Sequence, residues 1–319
     1  MVDAFTHQPV LVAECVSSLR LREDALIVDA TVGGGGHAAA ILERTGPHGR
    51  LIGLDQDANA VAAAGERLAR FGDRVQLFQH SFRHLETLLE EQGIEAVDGV
   101  LLDLGVSSHQ LDTTERGFRF AAESADTTPL DMRMDQRSEV TAADLLRDAS
   151  EEELRHWFRA YADLRGASRL ARRIVSERRR APLRSSADLL AVIESSRVGG
   201  GRRHHPATRV FQALRIALND ELGALEDGLE AAIGSLRAGG RVVVLAYHSA
   251  EDRIVKRRFR DEERGCTCPP EFPVCACGRS VRLRLLMRRP VRPEPDEVAR
   301  NPRSRSARLR AAERLAEAA

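Results

Sequence analysis

The chain has 319 residues, of which 43% are hydrophobic and 30% are charged, and its formal net charge is +0 at pH 7. This composition is typical of a globular protein, and the length suits one large domain or two ordinary ones. No long, uninterrupted apolar run is present, which excludes a transmembrane helix. The first residues lack the basic and apolar regions of an export signal, so the sequence predicts a cytoplasmic protein.

Short apolar runs alternate with helical patterns along the first hundred or so residues, and one more apolar run follows much later. Strands that alternate with helices form parallel sheets with right-handed crossovers, so this order predicts an α/β fold. The predicted strands are 26–29, 51–55, 75–78, 100–104 and 241–245.

The long segment between the fourth and fifth predicted strands has helical patterns, and a structureless loop of that length is implausible in a compact domain. We therefore expect an α/β domain formed by residues 1–110 and 208–319, interrupted by an inserted helical domain at 111–207. Ser150 and Glu153 form a capping-box pattern in the insertion. A long helical stretch is predicted after it, at 208–236. The helices predicted within the insertion are 142–146, 151–161, 167–180 and 187–195.

The strongest local motif is a run of four glycines, residues 33–36, which follows the first predicted strand. Asp55 ends the second strand, where a carboxylate accepts hydrogen bonds from ribose hydroxyls. Three interpretations fit. The first is a dinucleotide-binding site, whose glycine fingerprint is matched by Gly33, Gly35 and Ala38. The second is a tight turn without a ligand, which would need the same glycines. An S-adenosylmethionine site is favoured by the small polar segment 103–108 after the fourth strand.

Arginines are clustered at 178–184 and again from 253 to 314, as in proteins that bind phosphates. The alternative is a set of solvated helix faces. Arg133, Arg209 and Arg215 are candidate RNA contacts, but each has a salt bridge to a nearby carboxylate as its alternative role.

Four of the five cysteines form two C-x-C pairs in one proline-rich loop, and Cys15 lies in an apolar helical pattern typical of a core. Four thiolates are a tetrahedral zinc set, although C-x-C is tighter than the usual C-x2-C pair. A reduced loop without metal is the alternative, and any metal here would be structural. The four cysteines are Cys266, Cys268, Cys275 and Cys277.

An ordered series of motifs resembles the RsmH (MraW) family of bacterial 16S ribosomal RNA cytosine-N4 methyltransferases. The series runs nearly from end to end. Its segments are His7-Gln-Pro-Val-Leu11, Gly33 to His37, Gly53-Leu-Asp55-Gln-Asp57, Asp103-Leu-Gly-Val-Ser-Ser108, Gly117-Phe-Arg-Phe120, Pro129-Leu-Asp-Met-Arg-Met-Asp135, His205 to Arg215, Tyr247 to Lys256, and Asn301 to Ser306.

The resemblance implies a class I (Rossmann-like) methyltransferase sheet with an inserted all-helical domain. It also implies methyl transfer from S-adenosylmethionine to N4 of a cytidine in 16S ribosomal RNA, in the decoding region. The partner would be that RNA or the small ribosomal subunit, and a homodimer is left open. The cofactor-binding residues that the resemblance carries over are Gly35, Gly36, His37, Asp55, Phe82, Asp103 and Gln110.

The target base is expected at the carboxyl ends of the fourth and fifth strands. The residues expected to hold it are Ser107, Ser108, Tyr247, Ser249 and Arg253. Transfer needs an acceptor for the cytosine N–H, and either His248 or a backbone carbonyl fits that role.

Two departures from the family pattern stand out: Tyr247 occupies a position where phenylalanine is common, and the segment 121–128 is longer than usual. Two other functions compete with RNA methylation. A DNA amino-methyltransferase shares the chemistry, but its Pro-Pro-aromatic motif is absent after Asp103. A nucleotide-binding ribosome-assembly factor would need no turnover.

Overall fold

The structure is a computed structural model that describes residues 9–119, 128–199, 205–266, 268, 272, 274 and 277–316. The chain divides into two compact units: unit 1 is Met1–Gly105 with Leu222–Ala319, and unit 2 is Val106–Glu221. Unit 2 extends beyond the predicted insertion at both ends. Helix residues Val210, Phe211 and Leu214, which lie past the predicted limit of 207, belong to its apolar core.

Unit 1 contains a seven-stranded sheet in the order β3-β2-β1-β4-β5-β7-β6. The five predicted strands pair in parallel, whereas β7 is antiparallel to both β5 and β6. This sheet confirms the predicted Rossmann-like class. The strands are β1 (Leu26–Asp29), β2 (Arg50–Asp55), β3 (Val75–Gln79), β4 (Val97–Asp103), β5 (Leu236–Ala246), β6 (Leu283–Leu285) and β7 (Arg308–Arg314).

Thirteen α-helices occur within the described ranges. In unit 1 they are α1 (Val12–Leu19), α2 (Gly36–Arg44), α3 (Ala58–Leu68), α4 (Leu85–Glu91), α11 (Glu221–Ser235, whose first residue ends unit 2), α12 (Ser249–Arg264) and α13 (Pro295–Arg300). In unit 2 they are α5 (Ser108–Asp112), α6 (Ala142–Asp148), α7 (Glu151–Ala160), α8 (Ala167–Glu177), α9 (Ser186–Ser195) and α10 (Pro206–Leu218). No helix in the described ranges is both long enough and apolar enough to cross a membrane.

The sheet of unit 1 is covered on both faces, which explains why its central strands have apolar residues on both faces. Along β1, Leu26 and Val28 lie in one apolar cluster with residues of α4, α11 and α12. Ile27 points to the opposite cluster with residues of α1, α2 and α3. The order of the strands reverses direction between β1 and β4, and the carboxyl ends of these strands therefore border the crevice where such sheets bind ligands.

The sequence did not indicate β6 and β7, because their residues are rich in arginine rather than apolar throughout. In β7 the charges are compensated by neighbours: Arg310 pairs with Asp252 at 2.7 Å, and Glu313 pairs with Arg241 at 2.9 Å. Ala311 and Ala312 between them are buried. A charged segment becomes an inner strand here because each charge has a specific partner.

Unit 2 is helical within its described residues, which include no strand and one isolated bridge, between Pro129 and Ser185. The predicted capping box at Ser150 and Glu153 is present, with the Glu153 amide donating to Ser150 Oγ at 3.2 Å. The predicted helical stretch 208–236 is wrong as one element: α10 ends at Leu218, and Asp220 has a φ of 45°, which a helix does not allow.

Candidate functional site

The glycine loop joins β1 to α2 in unit 1, and its shape requires glycine. Gly33 and Gly35 have φ values of 50° and 76°, in the left-handed region that favours glycine. A Cβ on Gly35 would lie 3.3 Å from the Cα of Ala64, and one on Gly36 would lie 2.9 Å from the ring of Pro9. Because Gly35 offers no capping side chain, the first amides of α2 are not capped by a side chain of the loop.

Asp55, at the end of β2, is tied to that loop. Its Oδ2 accepts the Gly33 amide at 3.0 Å, and its Oδ1 accepts the Asp57 amide at 2.9 Å. Burial raises the pKa of Asp55 to about 6, even though these amides lower it. The Gln56 amide also donates to this carboxylate. A carboxylate has about four lone-pair sites, so Asp55 can still accept a hydroxyl donor from a ribose.

Asp29 is a site residue that the sequence analysis treated only as the end of a strand. Its side chain is 1% exposed, and Oδ1 accepts the Thr31 amide at 3.3 Å. Oδ2 is buried and has no hydrogen-bond partner among the described residues. Burial raises the pKa of Asp29 to about 7, although the nearby His37 lowers it. An acid four residues before a glycine run, at the carboxyl end of the first strand, was the signal that could have identified it.

His37 and Asp103 form the next part of the cluster. The His37 Nε2 lies 2.9 Å from the carbonyl oxygen of Val10, which only accepts, so this nitrogen carries a proton. Its Nδ1 lies 3.6 Å from Asp103 Oδ2. Asp103, at the end of β4, also accepts the hydroxyl of Tyr247 on Oδ1 at 2.8 Å. Burial, followed by the charge of Asp103, raises the pKa of Tyr247, so this hydroxyl remains a donor.

The loop between β5 and α12 is held by Glu251, which the sequence analysis also missed. Its Oε2 accepts the amides of Tyr247 and His248 at 2.8 and 3.1 Å. His248 is the N-cap of α12, and its Nδ1 accepts the Glu251 amide at 3.3 Å. A residue of glutamate type three positions after an N-cap is the capping-box signal, here with histidine in place of serine.

This capping geometry bears on the predicted catalytic role of His248. With Nδ1 accepting an amide, the neutral ring carries its proton on Nε2, which lies 3.1 Å from Glu251 Oε1. A nitrogen in that state donates and does not accept. The arrangement therefore favours a capping role over the acceptor role.

Residues 4–315 match the MraW methylase family. The chain belongs to the MraW methylase family. It is 51% identical to ribosomal RNA small subunit methyltransferase H of Symbiobacterium thermophilum, over 98% of each chain. It is also 51% identical to the protein of the same name from Geobacter sulfurreducens, over 98% of this chain and 99% of the relative. The solved rRNA methylase of Streptococcus thermophilus superposes with a TM-score of 0.42 at 10% identity, over 96% of this chain and 94% of that chain, too distant for residues to be transferred.

Two other cofactor residues that the MraW resemblance predicts, Phe82 and Gln110, have structural contacts within the protein. The ring of Phe82 packs on α11, where a Cβ on Gly228 would lie 2.4 Å from it, so one side of this ring belongs to the core. In unit 2, Gln110 is 4% exposed and forms a capping box with Ser107, whose amide donates to Gln110 Oε1 at 3.0 Å. The side chain of Ser108 lies outside the described residues.

The predicted substrate residues Ser249 and Arg253 are exposed at the start of α12. Arg253 has no ion pair within the described residues, and the same is true of Lys256, Arg260 and Arg264 further along the helix. At 100° per residue these four cations fall within an arc of roughly 80°. We call this surface the α12 basic face, defined by Arg253, Lys256, Arg260 and Arg264.

Two of the arginines suggested as RNA contacts are committed to carboxylates inside unit 2. Arg133 pairs with Asp131 at 2.7 Å, and Arg215 pairs with Glu221 at 2.7 Å. Arg209 donates to the backbone oxygen of Asp163 at 3.2 Å. For Arg133 and Arg215 the structure supports the salt-bridge alternative.

The predicted metal ligands lie between α12 and β6. The Sγ atoms of Cys266, Cys268 and Cys277 lie within 4.8 Å of one another. Cys275 lies outside the described residues. Cys15 is buried in the core of unit 1, as predicted.

Proposed function

We propose that this chain transfers the methyl group of S-adenosylmethionine to N4 of a cytidine in the decoding region of 16S ribosomal RNA, in the cytoplasm. S-adenosylmethionine is the methyl donor of this family. The observation that carries the proposal is the contact between the Gly33 amide and Asp55. It joins the glycine loop, which follows β1 beside the switch point of the sheet, to an acid at the end of the neighbouring strand β2; such crevices bind a nucleoside and its charged tail.

The residues of the site fit this cofactor. The glycine loop offers the uncapped first amides of α2 to a ligand, and Asp55 offers an acceptor for a ribose hydroxyl. Asp103 and the unpartnered oxygen of Asp29 supply negative charge for the cationic amine of the methionine part. We assign cofactor binding to Gly35, Gly36, His37, Asp55, Phe82, Asp103 and Gln110, the residues that the resemblance predicted, and we add Asp29.

The chemistry of the acceptor base defines what the remaining residues must do. The exocyclic nitrogen of cytosine is a poor nucleophile because its lone pair is delocalised into the ring. When bound, the cofactor supplies an electrophilic methyl on a sulfonium. The protein must hold the amine in line with that methyl, accept a hydrogen bond from its N–H and exclude water. We assign the positioning to Ser107, Ser108, Ser249 and the ring of Tyr247, whose hydroxyl is bonded to Asp103. We assign the acceptor to a backbone carbonyl rather than to His248.

His248 can be tested with a matched pair of variants. Asn is a good N-cap, so His248→Asn keeps the cap of α12, whereas His248→Ala removes it. We expect single-turnover methylation by His248→Asn within about threefold of wild type, and a lower rate with reduced thermal stability for His248→Ala. A drop on the order of a hundredfold in both variants, with normal folding, would return His248 to the chemistry.

The RNA partner is supported by the α12 basic face. Its four cations have no carboxylate partners within the described residues, and α12 begins at the edge of the sheet where the base must enter. Phosphate contacts of this kind give affinity and orientation, and the pocket gives specificity. The target base must also leave any stack to reach the site.

The proposed function is tested by following a labelled methyl group. The protein is incubated with S-adenosylmethionine carrying a labelled methyl and, separately, small ribosomal subunits, naked 16S RNA or duplex DNA. Labelled RNA is then digested and analysed by mass spectrometry. We expect N4-methylcytidine from RNA or subunits and no label in DNA.

Asp55→Asn is the matched negative, because it replaces one acceptor oxygen of the carboxylate by a donor. It should weaken adenosylhomocysteine binding in calorimetry by about tenfold, since one charge-assisted hydrogen bond to the ribose is lost. Asp73→Asn changes an exposed acid by the same charge and should bind normally. Label in DNA alone would identify a DNA methyltransferase, and cofactor binding without transfer would identify an assembly factor; either result rejects the proposal.

A further inference from the structure

The loop between α12 and β6 brings together thiols that methyl transfer does not use. Cys266, Cys268 and Cys277 are each partly buried, and their Sγ atoms all lie within 4.8 Å of one another. The Sγ atoms of Cys266 and Cys277 are 3.9 Å apart, although eleven residues separate them in the chain. This arrangement is a compact three-sulfur cluster.

The separation of the sulfurs is that of ligands around one metal ion. Zn–S bonds of about 2.3 Å at tetrahedral angles place two sulfurs about 3.8 Å apart. A disulfide would need about 2.05 Å. We propose that the thiolates of Cys266, Cys268 and Cys277 bind one structural Zn²⁺ ion. In a 4Fe–4S cluster each cysteine binds a different iron atom and in a 2Fe–2S cluster the cysteines are divided between two irons, so three sulfurs this close together favour a single ion.

The ends of this loop are fixed by contacts that do not involve sulfur. The Arg282 amide donates to the Glu262 carbonyl at 3.0 Å, and the Arg282 guanidinium pairs with the Glu262 carboxylate. Gly265 has a φ of 70°, and a Cβ there would lie 2.8 Å from the Val281 nitrogen. The two ends of the loop therefore lie close together where it joins α12 and β6. This places Cys266 and Cys277 near each other before any metal binds.

Beyond that base, apolar packing does not account for the cluster. Phe272 and Val274, the described large apolar residues between the cysteines, are 59% and 76% exposed. A short loop without a core of its own is usually stabilised by a disulfide or a metal. Thiolates are soft ligands that select zinc over magnesium or calcium. The three described sulfurs leave one position of the tetrahedron for a further ligand; Cys275 was the fourth cysteine predicted from the sequence and lies outside the described residues.

Binding replaces the three thiol protons by the metal, so the site should weaken as the pH falls. The metal has a structural role, because transfer of a methyl group from a sulfonium does not require a Lewis acid. The zinc content can therefore be measured independently of methylation. The test of the zinc site does not depend on the identity of the RNA substrate.

Metal analysis of the intact protein, purified without a chelator or histidine tag, tests the site. We expect about one zinc per chain in wild type and less than a tenth of that in Cys266→Ser and Cys277→Ser. Cys15→Ala is the matched control: this thiol is buried, burial raises its pKa, and the variant should retain its zinc. Circular dichroism and adenosylhomocysteine binding establish that each variant is folded.

Cobalt gives a second, spectroscopic measurement. Metal-stripped wild type titrated with Co²⁺ should develop the visible bands of a tetrahedral thiolate site, and Zn²⁺ should displace them. Folded Cys266→Ser and Cys277→Ser should not develop these bands. Wild type that binds neither metal, serine variants that keep stoichiometric zinc, or a loop that contains iron would overturn the proposal.

Discussion

Folding shifts the pKa of several acids in the helical unit 2 and of the acids beside the glycine loop in opposite directions. In unit 2, hydrogen bonds from cap residues and arginines outweigh burial and lower the pKa of several acids, among them Asp131, Asp144 and Asp188. Beside the glycine loop, burial dominates and raises the pKa of Asp29 to about 7 and that of Asp55 to about 6. The first group stabilises the fold near neutral pH, and the second destabilises it.

The arginines show the same contrast. Those of unit 2 that were candidate RNA contacts are bonded to carboxylates or carbonyls of their own unit, whereas the α12 basic face has no such partners within the described residues. Unit 1 also has satisfied pairs away from the loop, such as Asp252 with Arg310. The proposed site thus includes groups whose interactions are incomplete within the described residues, namely the buried oxygen of Asp29 and the cations of the α12 basic face, as expected of a site that exchanges stability for function.

The largest expected effect is on stability, in Asp29→Asn without cofactor. An Asp whose pKa rises from 3.8 to about 7 on folding loses stability as the pH rises between these values, by up to about 4 kcal/mol. Asn has the same shape and no charge, so the variant avoids this loss. Its gain in the free energy of unfolding should be about 3 kcal/mol larger at pH 8 than at pH 5, as measured by urea denaturation.

Asp144→Asn is the matched control for that experiment, because it makes the same change in unit 2. The pKa of Asp144 is lowered to about 2 by the Thr141 hydroxyl and amide and by Arg147. Its stabilising effect is present above pH 4 and is lost as the pH falls through 2. Asp144→Asn should thus be less stable than wild type, by an equal amount at pH 5 and pH 8. Equal gains for Asp29→Asn at both pH values would remove the contrast between the two groups of acids.

Much of the fold was predictable from the sequence, because its signals are local. The five parallel strands are apolar runs, and the helices of unit 2 begin at capping residues such as Ser150 and Ser185. By contrast, β7 has the sequence Arg-Leu-Arg-Ala-Ala-Glu-Arg, and its composition favours a helix. It becomes a strand because Asp252 and Arg241, far away in the sequence, neutralise its charges.

The residues of the site also divide into those with a local sequence signal and those that depend on distant parts of the chain. Asp55 could be identified from its spacing after the glycines, whereas the burial of Asp29 and the contact of Tyr247 with Asp103 depend on how β1, β4 and β5 come together. His248 was assigned a possible chemical role from its residue type alone. Its capping bond to Glu251 is visible only when the first turn of α12 is built.

The second prediction sharpens the contrast between the arginines. Changing Arg253, Arg260 and Arg264 together to Gln removes three unpaired charges from the α12 basic face. We expect RNA affinity to fall by tens of fold at low salt. The slope of log Kd against log salt concentration should become shallower by the amount that about three phosphate contacts contribute. Adenosylhomocysteine binding should not change, because the face binds phosphates and not the cofactor.

A triple variant of unit 2 is the control for the basic face. Arg147, Arg155 and Arg173 are exposed, and each pairs with an acid on its own helix. Changing these three to Gln alters the net charge equally. If both triple variants lose the same affinity and the same salt dependence, then RNA senses only the overall charge, and the α12 basic face has no special role.

The smallest effect is expected at Tyr247, whose hydroxyl holds Asp103 Oδ1 at 2.8 Å. Tyr247→Phe removes one hydrogen bond to a carboxylate, a loss of about 1 kcal/mol. If Asp103 contacts the cofactor, its orientation should loosen and adenosylhomocysteine should bind about fivefold more weakly, with kcat at saturating cofactor unchanged. Because the raised pKa of Tyr247 keeps the hydroxyl protonated, the effect should be constant from pH 6 to pH 9. Tyr161→Phe, at the other of the two tyrosines, should bind normally. A loss confined to kcat would instead place the hydroxyl of Tyr247 at the reacting base.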